Sequence, residues 1–407
     1  MTDQILDLVA KEKERQETTL MMIPSENYTY PEVREVVGSV LMHKYAEGYP
    51  GKRYYQGMEF VDQIENIAID RVKSLFGVAH ANVQPYSGSP ANTAVYFALL
   101  SPGDTLMGLS LAAGGHLTHG HSVSLSGKYF KSVQYVLDDK KEKYFDFEEI
   151  RRLALENKPK IIVVGTTAFP RTLPWEEFAK IAEEVDAYLM ADISHIAGLV
   201  AGGAHPSPVP HVHIVTTTTH KTLRGPRGAL IMVTDKGIQK DSNLGSKIDK
   251  AVFPGLQGGP HLHTIAGIAI TAEKASQLEF KEYAQQVVKN AQALSQSLIA
   301  NGFNLVTGGT DNHLLLVDLQ NVKIDGKTAA EKLEAEGIVV NKNSIPNDPN
   351  PPARPSGIRL GTPGITTRGM KEPEMKHIGE MIKKVLIDNV SVKDEVFALC
   401  QKFPVNF

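Results

Sequence analysis

Lys221 closes a β-branched run, IVTTTTHK, and is followed within a few residues by the turn-forming sequence RGPRG. A lysine on an open surface is simply solvated, but one drawn into a desolvated pocket loses basicity and forms a Schiff base with an aldehyde. A second apolar run, AYLMAD, ends in Asp192, and His195 follows three residues later. A carboxylate in that position either caps the next helix or pairs with the protonated nitrogen of a pyridinium ring. Ser87, Gly88 and Ser89 stand before Pro90, where the spacing predicts a helix from Pro90 to Leu100 stopped by Pro102 and Gly103. The N–H groups and positive dipole end of such a helix, with hydroxyls beside them, suit a phosphate, and the same serines also read as ordinary N-caps. An amine for an aldehyde, a carboxylate for a pyridinium and a helix start for a phosphate are together what pyridoxal 5′-phosphate (PLP) asks of a protein.

Elements that would position these groups follow from the pattern around them. The middle of the chain alternates short apolar runs with helical stretches: KIIVVGTT, WEEFAKIAEEV, AYLMADIS, HIVTTTT and ALIMV. Strands alternating with helices predict an α/β fold with a mostly parallel sheet, whose ligands gather beyond the carboxyl ends of the strands. Phe60, Ile64, Ile67, Leu75 and Phe76 recur at near-helical spacing before Gly77, which predicts a helix from about Glu59 with a glycine cap. Between Ile23 and Met58 the chain is dense in Gly, Pro, Tyr and charge, the composition of an extended functional loop. From about Ala272 a long helical stretch capped by Gly302, the run HLLLVDL, the helical TAAEKLEAEG and a terminal helix predict a smaller α+β domain.

Composition narrows the class. The 407 residues carry 43 Lys+Arg against 46 Asp+Glu, a net charge of −3, which gives no basic footprint for nucleic acid or an anionic membrane. The single cysteine, Cys400, excludes a disulfide framework within the chain and suits a reducing cytoplasm. The opening MTDQILDLVAKEKERQETTL alternates charge with apolar residues and reads as an amphipathic surface helix rather than a leader or a membrane span. Two histidine groups, His116, His119 and His121, and His205, His211 and His213, raise a metal alternative, but neither has the i, i+4 spacing or the cysteines of common metal sites, and no metal is expected.

Seven segments share one further property. HKYAEGYPGKRYYQG, YSGS, GGHLTHG, TTTTHKTLRGPRG, FPGLQGGPH, VNKNSIPNDP and PSGIRLGTPGITTRG resemble, in this order, the motifs of the serine hydroxymethyltransferase family. The resemblance runs from about Met22 to Gly369. It implies the α/β, PLP-dependent fold type I, with a mixed, mostly parallel seven-stranded sheet in a large domain and a smaller C-terminal α+β domain. It also implies residues 1–58 as an N-terminal helix and active-site and dimer arm, 59–272 as the PLP-binding domain and 273–407 as the small domain. The implied activity is reversible transfer of the hydroxymethyl group of L-serine to tetrahydrofolate in a cytoplasmic homodimer with shared active sites.

By similarity, Lys221 holds PLP, Asp192 faces the pyridine nitrogen, His116 stacks on the ring, and Ser87, Gly88 and Ser89 bind the phosphate. Gly258 and Gly259 are implied to reach the phosphate of the neighbouring subunit, and Thr167 and His195 to contact the phenolic oxygen or the substrate. Arg359, assisted by Ser25, matches the carboxylate-binding arginine, a role suited to a bidentate guanidinium. Glu47 matches the acid/base, with Tyr45 and Tyr55 lining its pocket, and His220 is implied to tune reaction specificity. Leu111, Gly115, Leu117 and Asn343 match positions near tetrahydrofolate. The chain departs from the family pattern at Gln56, Pro90, Ala229 and Gly364, none of which removes a catalytic group, and in the segment PNPPARPSG beside the implied folate loop. Three rival readings remain at this point. One is a threonine aldolase, which cleaves the same bond without folate, and another an α-methylserine hydroxymethyltransferase. The third is a binding protein that has kept the fold, which predicts erosion at Lys221, Asp192, Glu47 or Arg359, and all four are present.

Overall fold

The computed structural model describes residues 3–138, 141 and 143–407. The chain forms two compact units, one of residues 29–167 and 172–282, the other of residues 1–28, 168–171 and 283–407.

The first unit is built on a seven-stranded mixed sheet. From edge to edge its strands are His80–Asn82, Ala229–Val233, Ile214–Thr218, Tyr188–Asp192, Ile161–Gly165, Thr105–Leu109 and Lys131–Tyr135. The last five are mutually parallel, and Ala229–Val233 runs against both of its neighbours. Central strands such as IIVVG and ALIMV are buried along their whole length, as expected of strands covered on both faces. The α/β architecture and its mostly parallel sheet thus match the sequence pattern. Register sets Asp192 beside Gly165 on one side and Thr216 on the other, so the ends of two strands meet the middle of a third, which runs on toward Lys221. A Cβ on Gly165 would come within 2.5 Å of the Asp192 carbonyl oxygen, which is why glycine stands there.

The predicted helix appears as Glu59–Phe76, and Gly77, at φ 66°, closes it by donating to the Lys73 carbonyl. The helix after Ser87 begins two residues earlier than predicted, at Gly88, and Pro90 lies within its first turn, where no N–H partner is lost. The segment expected to be an extended loop contains more structure than its composition suggests. It holds a helix Pro31–Val37 with proline in its first turn, a 3₁₀ turn Val40–His43 and a hairpin of Gly48–Tyr49 with Lys52–Arg53. The hairpin is fastened by Arg53, whose buried guanidinium pairs with Glu65 at 2.5 Å and Asp62 at 2.9 Å on the helix Glu59–Phe76.

In the second unit an antiparallel sheet of Asn304–Leu305, Leu314–Asp318, Gly357–Gly361 and Asn341–Asn343, in that spatial order, packs its apolar side chains with those of the surrounding helices. The start of the chain belongs to this unit, because Leu20–Met21 pairs in parallel with Ile338–Val339 and Leu20 and Met22 enter the same core. Arg368 locks that junction. Its guanidinium donates to the carbonyls of Gln16, Glu17, Thr19, Cys400 and Phe403, using every donor it has.

Candidate active site

Asp192 ends a buried strand and is 9% exposed. One carboxylate oxygen accepts from the Ser194 backbone N–H at 3.1 Å and the Ser194 hydroxyl at 2.6 Å. The other accepts from Asn92 Nδ2 at 2.8 Å and His119 Nε2 at 3.1 Å. Burial opposes the charge, but the hydrogen bond and attraction of His119, with the hydrogen bonds of Ser194, hold the carboxyl well below the usual carboxylate range. Asp192 is therefore an ionised carboxylate. It does not cap the following helix, whose N-cap is Ile196.

Ser194 links this carboxylate to the lysine. The Thr218 N–H donates to the Ser194 hydroxyl at 3.1 Å, and Lys221 Nζ donates to the Thr218 hydroxyl at 3.0 Å. Lys221 sits on a loop that closes on itself: Gly225 N–H reaches the Thr219 carbonyl at 2.7 Å, and the Thr219 hydroxyl reaches the Pro226 carbonyl at 2.6 Å. The Thr222 hydroxyl ties the same loop to the carbonyl of His195 at 3.0 Å. His220 is pushed down to about 3 by burial and by the charges of Lys221 and Arg227. Its Nδ1 is buried without a hydrogen-bond partner among the described residues.

The helix that follows Ser87 starts against this group. A Cβ on Gly88 would lie 2.8 Å from Thr218 Cγ2, so only glycine lets the helix start approach the strand that leads to Lys221. Ser87 is the N-cap by position, yet its hydroxyl makes no capping bond, and both Ser87 and Ser89 are exposed. Exposed hydroxyls at a helix start, an ionised carboxylate and a lysine joined to it through Ser194 and Thr218 form the donor set that PLP requires.

His116 lies on the loop after Thr105–Leu109, and burial lowers its pKa. Its Nδ1 meets the Thr118 hydroxyl at 2.7 Å. Thr167 belongs to the same loop system, its hydroxyl donating to the carbonyls of Gly114 at 3.3 Å and Gly115 at 3.1 Å. Leu111 and Leu117 are exposed on that loop, and Gly115 is pressed so closely to the Leu109 carbonyl that a Cβ would fall 2.1 Å from it.

Tyr45, Glu47, Tyr55, Gly258 and Gly259 form a second group in the same unit. The Tyr45 and Tyr55 rings are 5.0 Å apart. Cβ atoms added at Gly258 and Gly259 would lie 3.2 Å from Glu47 Oε1 and from the Tyr45 ring, respectively. Arg53 steadies Glu47 from behind by donating to the carbonyls of both flanking residues, Ala46 and Gly48, at 2.8 Å each.

Ser25, Asn343 and Arg359 belong to the other unit. Arg359 lies on the strand Gly357–Gly361 and donates through Nε to Asn341 Oδ1 at 3.1 Å. Burial lowers its pKa to about 10, so it remains a cation at neutral pH. Ser25 follows Pro24, which packs on Gly361 of that strand.

Sequence reasoning missed Asn92, Thr118, Ser194, Thr218 and Arg53, and treated His119 only as a possible metal ligand. Each lies inside or beside a quoted motif, and the available signal was a polar side chain in an otherwise apolar or glycine-rich stretch. Among the described residues, no group of three or more His, Cys, Asp or Glu side chains could hold a metal ion. No helix of the described residues is long and apolar enough to cross a membrane.

Comparison with known proteins adds an independent finding. The family model described as serine hydroxymethyltransferase matches residues 1–382. The chain is 55% identical over 408 aligned positions to the serine hydroxymethyltransferase of Desulfotalea psychrophila (strain LSv54 / DSM 12343), covering 98% of this chain and 94% of that protein. It is 54% identical over 398 positions to the serine hydroxymethyltransferase of Acidothermus cellulolyticus (strain ATCC 43068 / DSM 8971 / 11B), covering 98% and 91%.

Proposed function

The chain belongs to the serine hydroxymethyltransferase family, fold type I PLP enzymes that move the hydroxymethyl group of L-serine reversibly to tetrahydrofolate, and from that premise we propose how its own residues divide the work. When bound, the cofactor supplies an aldehyde for amino groups and a protonated ring that draws electrons away from the substrate Cα. Lys221 would hold the cofactor through its aldehyde, with the Thr218 hydroxyl orienting its Nζ. Asp192 keeps the ring nitrogen protonated, which its ionised state supports. Ser87, Gly88 and Ser89 hold the phosphate, with Gly258 and Gly259 of the partner subunit adding to the same anion site.

His116 would cover the ring, and Thr167 and His195 would contact the phenolic oxygen or the substrate. Arg359 would bind the serine carboxylate with assistance from Ser25, and so fix the orientation of the substrate Cα substituents. Glu47 takes and returns protons at the serine hydroxyl and the one-carbon unit, with Tyr45 and Tyr55 as its walls. His220, uncharged at neutral pH, tunes which bond at Cα breaks. Leu111, Gly115, Leu117 and Asn343 face tetrahydrofolate.

A homodimer is part of this reading. Tyr54, Phe97 and Leu256 are exposed apolar side chains, and Tyr54 and Phe97 both lie against the segment 253–255. Apolar surface gathered in this way is costly in water and is characteristic of interfaces. The single cysteine supports a place in the reducing cytoplasm.

The observation that carries the assignment is the unbroken path from the Asp192 carboxylate through Ser194 and Thr218 to Lys221. Borohydride reduction should fix the cofactor to wild-type protein and fail in Lys221→Ala, and an adduct elsewhere in the chain would refute the role of Lys221. Serine cleavage should depend strongly on added tetrahydrofolate and allo-threonine cleavage should not; equal serine rates with and without folate would favour an aldolase.

A further inference from the structure

The hydrogen-bond directions around His116 follow from groups whose roles are fixed. An ionised carboxylate only accepts, so the Asn92 side chain must turn its NH2 toward Asp192 Oδ2, 2.8 Å away. The Thr216 hydroxyl, 2.7 Å from Asn92 Oδ1, agrees with that orientation. The same NH2 also reaches Thr118 Oγ1 at 2.9 Å, which leaves the Thr118 hydroxyl its own hydrogen to give to His116 Nδ1 at 2.7 Å. The Thr118 backbone N–H, which can only donate, points at that nitrogen from 3.2 Å. His116 Nδ1 therefore carries a lone pair, and the ring hydrogen belongs on Nε2. Asn92 and Thr118 are buried, at 1% and 8% exposure, so water does not compete for these bonds.

We propose that Asn92 and Thr118 are positioning residues: the chain from Thr216 through Asn92 and Thr118 holds His116 in its uncharged Nε2–H form, while the same Asn92 amide steadies the Asp192 carboxylate. The role rests on the reading that His116 and Asp192 flank the cofactor ring. An imidazolium laid over a pyridinium would bring two positive charges face to face, whereas the uncharged imidazole leaves the ring's charge free to draw electrons. Burial, His119 and Lys221 all disfavour the charged form of His116, against the attraction of Asp192. One amide thus sets the state of two groups that are 76 positions apart in sequence, His116 and Asp192.

Thr118→Val keeps the side-chain shape and removes the hydroxyl, while Thr118→Ser restores it. In holoenzyme labelled with ¹⁵N-histidine, long-range ¹H–¹⁵N spectra report which ring nitrogen bears the hydrogen, and a His116→Gln sample assigns the signals. Wild type and Thr118→Ser should show a bare Nδ1 and a protonated Nε2 at neutral pH. In Thr118→Val the two nitrogen signals should move toward each other, with kcat reduced about threefold to tenfold and serine KM little changed. Asn92→Leu should give the same spectral change. An unmoved His116 spectrum in Thr118→Val overturns the proposal, as does a Thr118→Ser protein as perturbed as the valine variant. A wild-type spectrum as expected in protein that traps no cofactor overturns the cofactor reading, and with it the catalytic meaning of the chain, which separates that failure from the other two.

Discussion

Around Asp192, four donors from three other residues converge on one carboxylate; the path onward to His116 runs through the buried side chains of Asn92 and Thr118, and the path to Lys221 through half-buried Ser194 and buried Thr218, all in the same unit. Around Glu47 the picture is reversed: Tyr45 and Tyr55 are 55% and 42% exposed, and Tyr54 beside them is exposed as well. The first group is a hydrogen-bonded cluster closed within one unit, and on the proposed reading only its phosphate end draws on a partner subunit. The second is open, and the proposed homodimer would cover it. A polar network pays for burial only when its members are satisfied, so it is finished locally, while aromatic side chains tolerate exposure in one chain because a partner removes it.

Replacing Asp192 tests the first half of this contrast most severely. Asp192→Asn removes the charge proposed to pair with the ring nitrogen while nearly keeping the shape, and kcat should fall by about 10²–10³-fold. The cofactor should still be trapped at Lys221, which borohydride reduction followed by peptide mapping checks. Arg359→Ala should raise the KM for serine by about 30-fold or more, because a buried guanidinium paired with a carboxylate is worth roughly 2–5 kcal/mol. PLP affinity, measured by titrating cofactor-free protein, should change little, and equal losses of both would place Arg359 outside the carboxylate role.

The second half is tested at the exposed rings. Phe97→Asp or Tyr54→Asp should weaken self-association by about tenfold to thirtyfold in sedimentation velocity. Activity should then fall on dilution while the His116 ring spectrum stays as in wild type. A spectrum that changes on dissociation would mean that the Asp192 group also depends on the partner.

The smallest effect concerns acid. Burial, with neighbouring lysine and arginine charges, lowers His220 to about 3 and His213 to about 4 from an ordinary 6.5. Below pH 6.5 the unfolded chain takes up protons at these positions that the folded chain refuses. Their contribution to stability is thus complete above 6.5 and is lost progressively as the pH falls toward 4 and then 3. Melting temperature should decline over that window, and a His213→Asn, His220→Asn protein should decline less steeply.

Much of this was legible from local pattern. The strands ending at Asp192 and before Lys221, the glycine cap at Gly77 and the long helix ahead of Gly302 all follow from short-range rules of periodicity and termination. What escaped the sequence is closed over distance. Asn92 meets Asp192 across 100 positions and Thr118 across 26, and no local rule ranks one buried asparagine in a helix above another. Arg53 was invisible for a similar reason, since its value lies in partners on a hairpin and a helix that fold against each other. The segment after Ile23 was read as extended because glycine, proline, tyrosine and charge are dense in it, yet Pro31 starts a helix and Gly48 enables a hairpin, two uses that composition alone does not distinguish from a loop.

The closed loop under Lys221 has a consequence for motion. Its fastening bonds belong to Thr219, Thr222, Gly225 and Pro226, and none of them involves the lysine side chain. On the proposed role of Lys221, its amine would come and go by rotating its own flexible stem, while the backbone beneath stays still. Such rotations belong to the fast regime of side-chain dynamics, well ahead of the slower collective movements of loops and domains. Each turnover starts and ends on a fixed pedestal, and amide hydrogen exchange at Gly225 should stay slow in resting and working enzyme alike.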